Sequence, residues 1–206
     1  MPPRKTKTPP KTPLPLLWML AGFAGALALS AIGLGFLSSE KPAAPAPSAI
    51  GGPFVLESGG AKVSDRDLRG EPFLVFFGYT HCPDVCPTTL AQISEILRAL
   101  GPDAKIKVLF VTVDPERDTP QLMQDYASSF DPRVIGLSGD RAAIDQIMKA
   151  YRVYARKVPE KNGGYSMDHS AVVYLMDSQG RFVRAFNVQQ PAAQAATELK
   201  SQLAAQ

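Results

Sequence analysis

The chain is poor in cysteine and histidine, the usual ligands of soft metal ions, because its 206 residues include only two of each. A structural zinc site normally requires a tetrahedral set of Cys or His ligands at characteristic spacings, which this sequence does not provide. The Cys-x-x-Cys-His sequence that attaches haem is absent, as is a carboxylate loop with the spacing of a calcium site. No internal repeat is present. Structural zinc, attached haem and calcium or magnesium binding are therefore excluded as the basis of function.

Acidic residues are missing from the start of the chain, where four basic residues within the first fifteen precede an uncharged run at 16–37. As a helix this run reaches about 33 Å, enough to cross a hydrocarbon core of roughly 30 Å. It is also longer than the apolar core of a signal peptide, about 7–15 residues. The sequence therefore predicts a retained transmembrane helix at 16–37, while the small-residue run at 44–46 leaves cleavage open.

The distribution of charge predicts how the chain is oriented. Positively charged flanks stay in the cytoplasm, so residues 1–15 form a basic cytoplasmic tail and the remainder faces the far side of the membrane. Residues 38–52, rich in Pro, Ala and Ser, are predicted to be a semi-rigid linker to one domain at 53–206. The tail is too short and too poor in Ser and Arg for a mitochondrial presequence. A single-pass protein of a bacterial inner membrane with a periplasmic domain is favoured.

The net charge does not indicate a nucleic-acid partner. The whole chain carries a formal charge of +3, and removing the four cations of the tail leaves −1 for the rest. No basic patch remains in the domain, so the excess of positive charge is a sign of membrane topology. Binding to nucleic acid is not expected.

Hydrophobic patterns in the domain predict alternating strands and helices that end in a hairpin and a helix. This order is typical of a mixed α/β sheet flanked by helices. Continuous apolar runs indicate buried strands, and apolar residues at helical spacing indicate amphipathic helices. The predicted strands are 73–79, 107–113, 134–137, 171–176 and 181–186, and the predicted helices are 88–100, 121–130, 141–154 and 192–205. In such sheets, functional sites form beyond the carboxyl ends of the parallel strands, where the loops 80–87 and 114–120 begin.

The first of these loops contains both cysteines, Cys82 and Cys86. An offset of four places the two side chains on one face of a helical turn, where they can form a disulfide or bind a soft metal ion. Cys86 is predicted to lie at the start of the helix, where unpaired N–H groups favour the thiolate. A purely structural disulfide is the alternative, although so short a loop constrains the unfolded chain little.

A metal site needs a third donor, and the two histidines are the candidates. The side chain of His81 is predicted to diverge from the thiols because it is adjacent to Cys82. His169 follows residues 158–166, a stretch with little apolar content that is predicted to be a mobile loop able to bring a ligand to the cysteines. Asp168 is expected to orient the imidazole. Two thiolates and one imidazole suit Cu(I), with Cu(II) as a second state. A lone His here is also typical of a surface or capping residue.

Three segments resemble those of a known family: THCPDVCP at 80–87, VDPERDTP at 113–120 and YSMDHS at 165–170. They are similar to the signatures of the Sco/SenC proteins, membrane-anchored copper chaperones for cytochrome c oxidase assembly. The resemblance implies a thioredoxin-like fold and copper ligands at Cys82, Cys86 and His169. It further implies delivery of copper to the CuA centre of oxidase subunit II, directly or by keeping the cysteines of that subunit reduced.

The implied partners are subunit II, a periplasmic copper donor and a thiol reductant. A reductant is needed because oxidation of Cys82 and Cys86 to a disulfide would block copper loading. The loop 114–120 resembles the partner-facing region of the family. Its alternative role is a turn in which Thr119 or Asp118 caps the next helix.

The main competing function is that of a thiol–disulfide oxidoreductase, with Cys82 and Cys86 as a redox disulfide. This function does not need His169, whereas the chaperone does. The Cys-x-x-x-Cys spacing is wider than the Cys-x-x-Cys of such oxidoreductases, which weighs against it. A peroxidase of related fold is a third alternative, which requires a cysteine of low pKa in a peroxide pocket.

Overall fold

The computed structural model describes residues 50–161 and 163–204. The predicted cytoplasmic tail at 1–15 and transmembrane anchor at 16–37 lie outside these ranges, as does nearly all of the linker at 38–52. Among the described residues, no helix has both the length and the apolar character needed to cross a membrane.

The domain contains a mixed sheet with helices packed against it, which confirms the predicted α/β class. The strands are β1 (Val55–Ser58), β2 (Ala61–Ser64), β3 (Phe73–Gly78), β4 (Lys107–Thr112), β5 (Val134–Leu137), β6 (Ala155–Pro159), β7 (Tyr165–His169), β8 (Val173–Met176) and β9 (Phe182–Ala185). The α-helices are α1 (Val85–Leu100), α2 (Pro120–Ser128), α3 (Arg141–Ala150) and α4 (Ala192–Ala204), and a 3-10 helix spans Asp65–Leu68.

The central five-stranded sheet has the strand order β5-β4-β3-β8-β9. β3, β4 and β5 are parallel, whereas β8 pairs antiparallel with β3 and β9 pairs antiparallel with β8. Every residue of β3 is buried, as expected for a strand that is covered on both faces. The rings of Phe76 and Phe110 stack across the β3–β4 pair with centroids 5.7 Å apart. The predicted hairpin and terminal helix are also present, as β8, β9 and α4.

Helix α1 begins at Val85, three residues earlier than predicted. The first helical bond runs from the Thr88 amide to the backbone carbonyl oxygen of Asp84, at 3.1 Å. This places Cys86 inside the first turn. The helix ends at Leu100, before Gly101 with its φ of 94°. Its buried face is formed by residues at helical spacing: Leu90, Ile93, Ile96 and Leu97.

The segment 158–166, which was predicted to be a mobile loop, lies within an antiparallel hairpin formed by β6 and β7. The prediction of a loop is wrong for the ends of the segment, where 158–159 pair with 165–166. These strands pair through their backbones and bury few side chains, so little apolar periodicity marks them in the sequence. Met167 is the one buried residue of β7. His169 is the last residue of β7.

Candidate metal centre

The two cysteines lie where β3 passes into α1. The Cys82 amide donates to the Tyr79 carbonyl at 3.3 Å, which fixes the turn. The Cys86 amide donates to Cys82 Sγ at 3.4 Å, so a free N–H group of the helix terminus meets the first sulfur. Both cysteines are free thiols; Cys86 is buried and Cys82 is half-buried. Cys82 is thus the more accessible of the two sulfurs.

Cys86 packs against β3 at Gly78, the last residue of that strand. A Cβ at this position would lie 2.6 Å from Cys86 Sγ, so only glycine leaves room for the sulfur. Burial raises the pKa of the Cys86 thiol far above its ordinary value, and the neighbouring Cys82 sulfur raises it further. The expectation that helix N–H groups favour the thiolate at Cys86 is therefore wrong for the free sulfur, because desolvation outweighs them.

His169 comes to the thiols from the end of β7. Its Nε2 lies 3.7 Å from Cys86 Sγ, and its Nδ1 lies 3.0 Å from the Ser170 carbonyl oxygen. Because a carbonyl oxygen can only accept, Nδ1 donates to it, and in the neutral ring the lone pair of Nε2 then faces the sulfur. The Tyr79 ring meets the imidazole edge-on, with centroids 5.8 Å apart. The imidazole is therefore held with a metal-binding nitrogen turned toward the cysteines.

The donor atoms of Cys82, Cys86 and His169 all lie within 4.8 Å of one another. His81 is outside this group: its Nδ1 contacts Thr80 Oγ1 at 3.0 Å, and its side chain is 52% exposed. These two sulfurs and one nitrogen form a soft donor set, the kind that Cu(I) prefers. The chemistry of the residues present thus fits a copper ion.

Asp168 does not orient the imidazole, contrary to expectation. Its carboxylate is exposed and lies 3.6 Å from the Arg156 guanidinium, because adjacent residues of a strand point to opposite faces. The orienting role falls to the Ser170 carbonyl described above. No residue-type pattern marks a backbone carbonyl in a sequence, so this contact was not predictable.

The loop 114–118 meets the cysteine loop through a buried carboxylate. Asp118 is fully buried and accepts from the Thr80 amide at 3.1 Å, from Thr80 Oγ1 at 2.6 Å and from Thr112 Oγ1 at 2.7 Å. Asp118 therefore does not cap α2; Thr119 does, by accepting from the Leu122 amide at 3.2 Å. The two loops that were predicted to share one edge of the sheet are bonded to each other there.

Comparison with known proteins places the chain in a family. The model of the SCO1/SenC family matches residues 42–204. The chain is 38% identical over 148 residues to the mitochondrial SCO1 homolog 1 of Arabidopsis thaliana. The aligned region covers 70% of this chain and 44% of the Arabidopsis protein. The chain is also 38% identical over 144 residues to the mitochondrial SCO1 homolog of Homo sapiens, covering 66% of this chain and 47% of the human protein. The chain thus spans about half the length of these relatives.

The fold has a close match among solved structures. The structure of Bradyrhizobium japonicum ScoI with copper bound superposes with a TM-score of 0.71 at 58% sequence identity, covering 74% of this chain and 98% of that chain. The matched family model extends over the whole described domain, from the β1–β2 hairpin to α4. The chain belongs to the SCO1/SenC family.

Proposed function

We propose that this protein is a copper metallochaperone that holds Cu(I) or Cu(II) between Cys82, Cys86 and His169. The observation that carries the proposal is the meeting of three soft donors from two distant segments within 4.8 Å. A structural role alone does not require the only two cysteines of the chain and one of its two histidines to converge. Copper in the solved Bradyrhizobium relative supports the choice of metal.

The site suits a metal that is taken up and then passed on. One sulfur, Cys82, is half-buried, whereas Cys86 is buried behind it. A client ligand can therefore replace Cys82 first, while Cys86 and His169 still hold the ion. Transfer by successive ligand exchange needs no change in the oxidation state of copper.

Copper binding is expected to weaken as the pH falls. Because burial raises the pKa of Cys86, its thiol keeps the proton at neutral pH, and copper must displace that proton to bind the thiolate. Each thiol proton that copper displaces makes the affinity rise about tenfold for each pH unit, so the slope is at least tenfold from Cys86 alone and larger where Cys82 also gives up a proton. Chelator competition between about pH 6 and pH 8, with proton release recorded, measures this slope. An affinity independent of pH would contradict copper–thiolate bonding at Cys86.

The client we propose is cytochrome c oxidase, with delivery of copper to the CuA centre of its subunit II. Membership of the SCO1/SenC family supports this choice. We also propose a periplasmic copper donor and a thiol reductant as partners, the latter because a Cys82–Cys86 disulfide cannot bind the ion. The basic residues before the uncharged run at 16–37 support a single-pass location in a bacterial inner membrane, with the domain in the periplasm.

A transfer experiment tests the proposed function. The reduced full chain is loaded with Cu(I) and mixed with the copper-free CuA domain of subunit II, and copper is counted on each protein after separation. Transfer is expected from the wild type but not from Cys86→Ser, which lacks the buried thiolate. Free Cu(I) at the same concentration is the control. A wild type that binds copper and releases none to the client would contradict delivery to CuA.

A thiol–disulfide oxidoreductase is the second candidate, and the unequal exposure of the sulfurs favours it. The accessible Cys82 would attack a client disulfide as the thiolate, forming a mixed disulfide and releasing one client thiolate. Cys86 would then attack Cys82, so that the chain is oxidised to the Cys82–Cys86 disulfide and the client receives two electrons. This activity needs no imidazole donor, a difference that separates it from copper binding.

A further inference from the structure

The hairpin that carries His169 is held against the loop 114–118. Lys157 of β6 forms an ion pair with Glu116, and the Tyr165 hydroxyl of β7 donates to Asp114 Oδ1 at 3.0 Å. Tyr165 begins β7, four residues before His169, and the Nζ of Lys157, whose backbone pairs with Met167, lies 4.6 Å from the centroid of the Tyr165 ring. The hairpin is thus bonded to this loop through both of its strands.

Arg117 is the central residue of this attachment. Its Nε lies 2.5 Å from Asp114 Oδ2, and its Nη1 donates to the Tyr165 carbonyl oxygen at 2.9 Å. The Asp114 carboxylate is fully buried, and the Arg117 side chain is only 24% exposed. Burial opposes the charge on Arg117, but the bond and charge of Asp114 outweigh it, so the pKa of Arg117 is raised. The guanidinium is therefore a permanent cation in this position.

Two cations contact the ring of Tyr165. The Arg117 guanidinium carbon is 3.8 Å from the ring centroid, and Lys157 Nζ is 4.6 Å from it. Such cation–π contacts are stronger when the groups are removed from water. Arg117 thus holds Tyr165 both through the backbone carbonyl and through the ring.

Tyr165 and His169 lie on the same face of β7, because residues at an offset of four in a strand point the same way. Met167 lies between them on that face, and its amide donates to the Tyr79 hydroxyl at 3.2 Å. The strand advances about 3.3 Å per residue, so the backbones of Tyr165 and His169 are about 13 Å apart. The Arg117 guanidinium carbon also lies 5.7 Å from the centroid of the Tyr79 ring, which contacts His169. A shift of the strand at Tyr165 would therefore be transmitted along the paired backbone to His169.

We propose that Arg117 is a positioning residue for the metal site: it clamps the β6–β7 hairpin to the loop 114–118 and so keeps His169 at the thiol pair. The inference rests on the proposed copper-binding function. The proposal gives the VDPERDTP segment a structural role within this chain, since Asp114 and Arg117 both bond to Tyr165 of the hairpin. The clamp sets how long the imidazole stays on the ion, whereas Cys86 is held by α1 and Cys82 by the bond of its amide to the Tyr79 carbonyl.

Arg117→Met tests the proposal, because it keeps an unbranched apolar side chain and removes the charge and the donors. The full chain is loaded with copper, and the rate of copper loss to a chelator is measured. We expect the rate to rise by about tenfold or more, the size of effect seen when a group supporting a ligand is removed. The nitrogen hyperfine signal of the Cu(II) form is expected to weaken.

Arg133→Met is the matched control. Arg133 bonds Asp131 through Nε at 2.9 Å and the Gly101 carbonyl at 3.0 Å, and its side chain is 20% exposed. It therefore resembles Arg117 in its bonds and burial but contacts neither the hairpin nor the cysteines. Its removal is expected to lower the melting temperature without changing the rate of copper loss or the spectrum.

A double variant shows whether Arg117 acts through His169. In a His169→Ala background, adding Arg117→Met is expected to change the copper-loss rate by less than about twofold, because the residue it positions is gone. An equal acceleration in both backgrounds, or the same effect from Arg133→Met, would overturn the proposal. If Arg117→Met does not fold, Tyr165→Leu removes the ring and hydroxyl contacts of the clamp from the other side and leaves the bond to the backbone carbonyl, so the same acceleration is expected in a smaller degree. A wild type that binds no copper contradicts the proposed function instead.

Discussion

Replacing His169 by Ala is expected to weaken copper binding by at least about 100-fold, beyond the 10–100-fold cost of losing a group that only supports a ligand. The Nε2 lone pair of His169 faces Cys86 Sγ at 3.7 Å, while Nδ1 is engaged by the Ser170 carbonyl. Without this nitrogen, the ion keeps two sulfur donors and gains open sites for competing ligands. Competition with a Cu(I) chelator under reducing conditions measures the loss.

His81→Ala is the matched control, because His81 is the other histidine of the chain and lies outside the donor group. It is half-exposed and contacts Thr80, so its removal should leave copper affinity unchanged. Equal affinity in His169→Ala and in the wild type would remove His169 from the site. That result would shift the function toward thiol–disulfide exchange.

The same variant separates the two candidate functions. Reduction of a client disulfide requires Cys82 and Cys86 but no imidazole nitrogen, so His169→Ala should reduce such a client at the wild-type rate. Cys82→Ser should lose both copper binding and reduction. A His169→Ala protein that loses copper and keeps reduction would show that the two chemistries of the cysteine pair are independent.

The sequence predicted those parts of the fold that are defined by buried side chains. β3 and β4 are continuous apolar runs, and α1 presents Leu90, Ile93 and Leu97 at helical spacing, so each pattern has one physical explanation. The β1–β2 hairpin was not predicted because its strands are short and mostly exposed, with Leu56 as its deeply buried residue. Helix α3 ends at Ala150 rather than Tyr154, since Arg152 takes a φ of 56°.

The residue types of the candidate site could be predicted from the sequence, but the backbone groups that hold those side chains in place could not. Two thiols at an offset of four and one remote histidine are the residues that the fold brings together, and residue type is the property that a sequence displays. The Ser170 carbonyl that orients His169 and the Tyr165 carbonyl that receives Arg117 are backbone groups, which every residue possesses. The hairpin that brings His169 to the cysteines is likewise held by backbone pairing and by the Arg117 guanidinium packed against the Tyr165 ring.

Gly78→Ala is expected to damage stability and copper binding together. The added Cβ would lie 2.6 Å from Cys86 Sγ and 2.7 Å from Phe110 Cε2, closer than such atoms approach in real proteins. Phe110 cannot retreat easily, because its ring stacks on Phe76 and also contacts Tyr126. Overpacking of this kind costs about 1–3 kcal/mol in the free energy of unfolding. Thermal unfolding and chelator competition on the same preparation measure the two effects.

Gly139→Ala separates loss of stability from displacement of the sulfur. Its added Cβ would meet Leu56 Cδ2 at 3.1 Å and Ala143 Cβ at 3.6 Å, and neither residue belongs to the donor group. It should therefore lower the melting temperature slightly and leave copper affinity unchanged. In Gly78→Ala the atom that has to yield is Cys86 Sγ, one of the three proposed metal donors, so copper affinity should fall even in the folded protein. A Gly78→Ala protein that is less stable but binds copper like the wild type would mean that Phe110 had moved instead, and that the position of Cys86 does not depend on the close approach at Gly78.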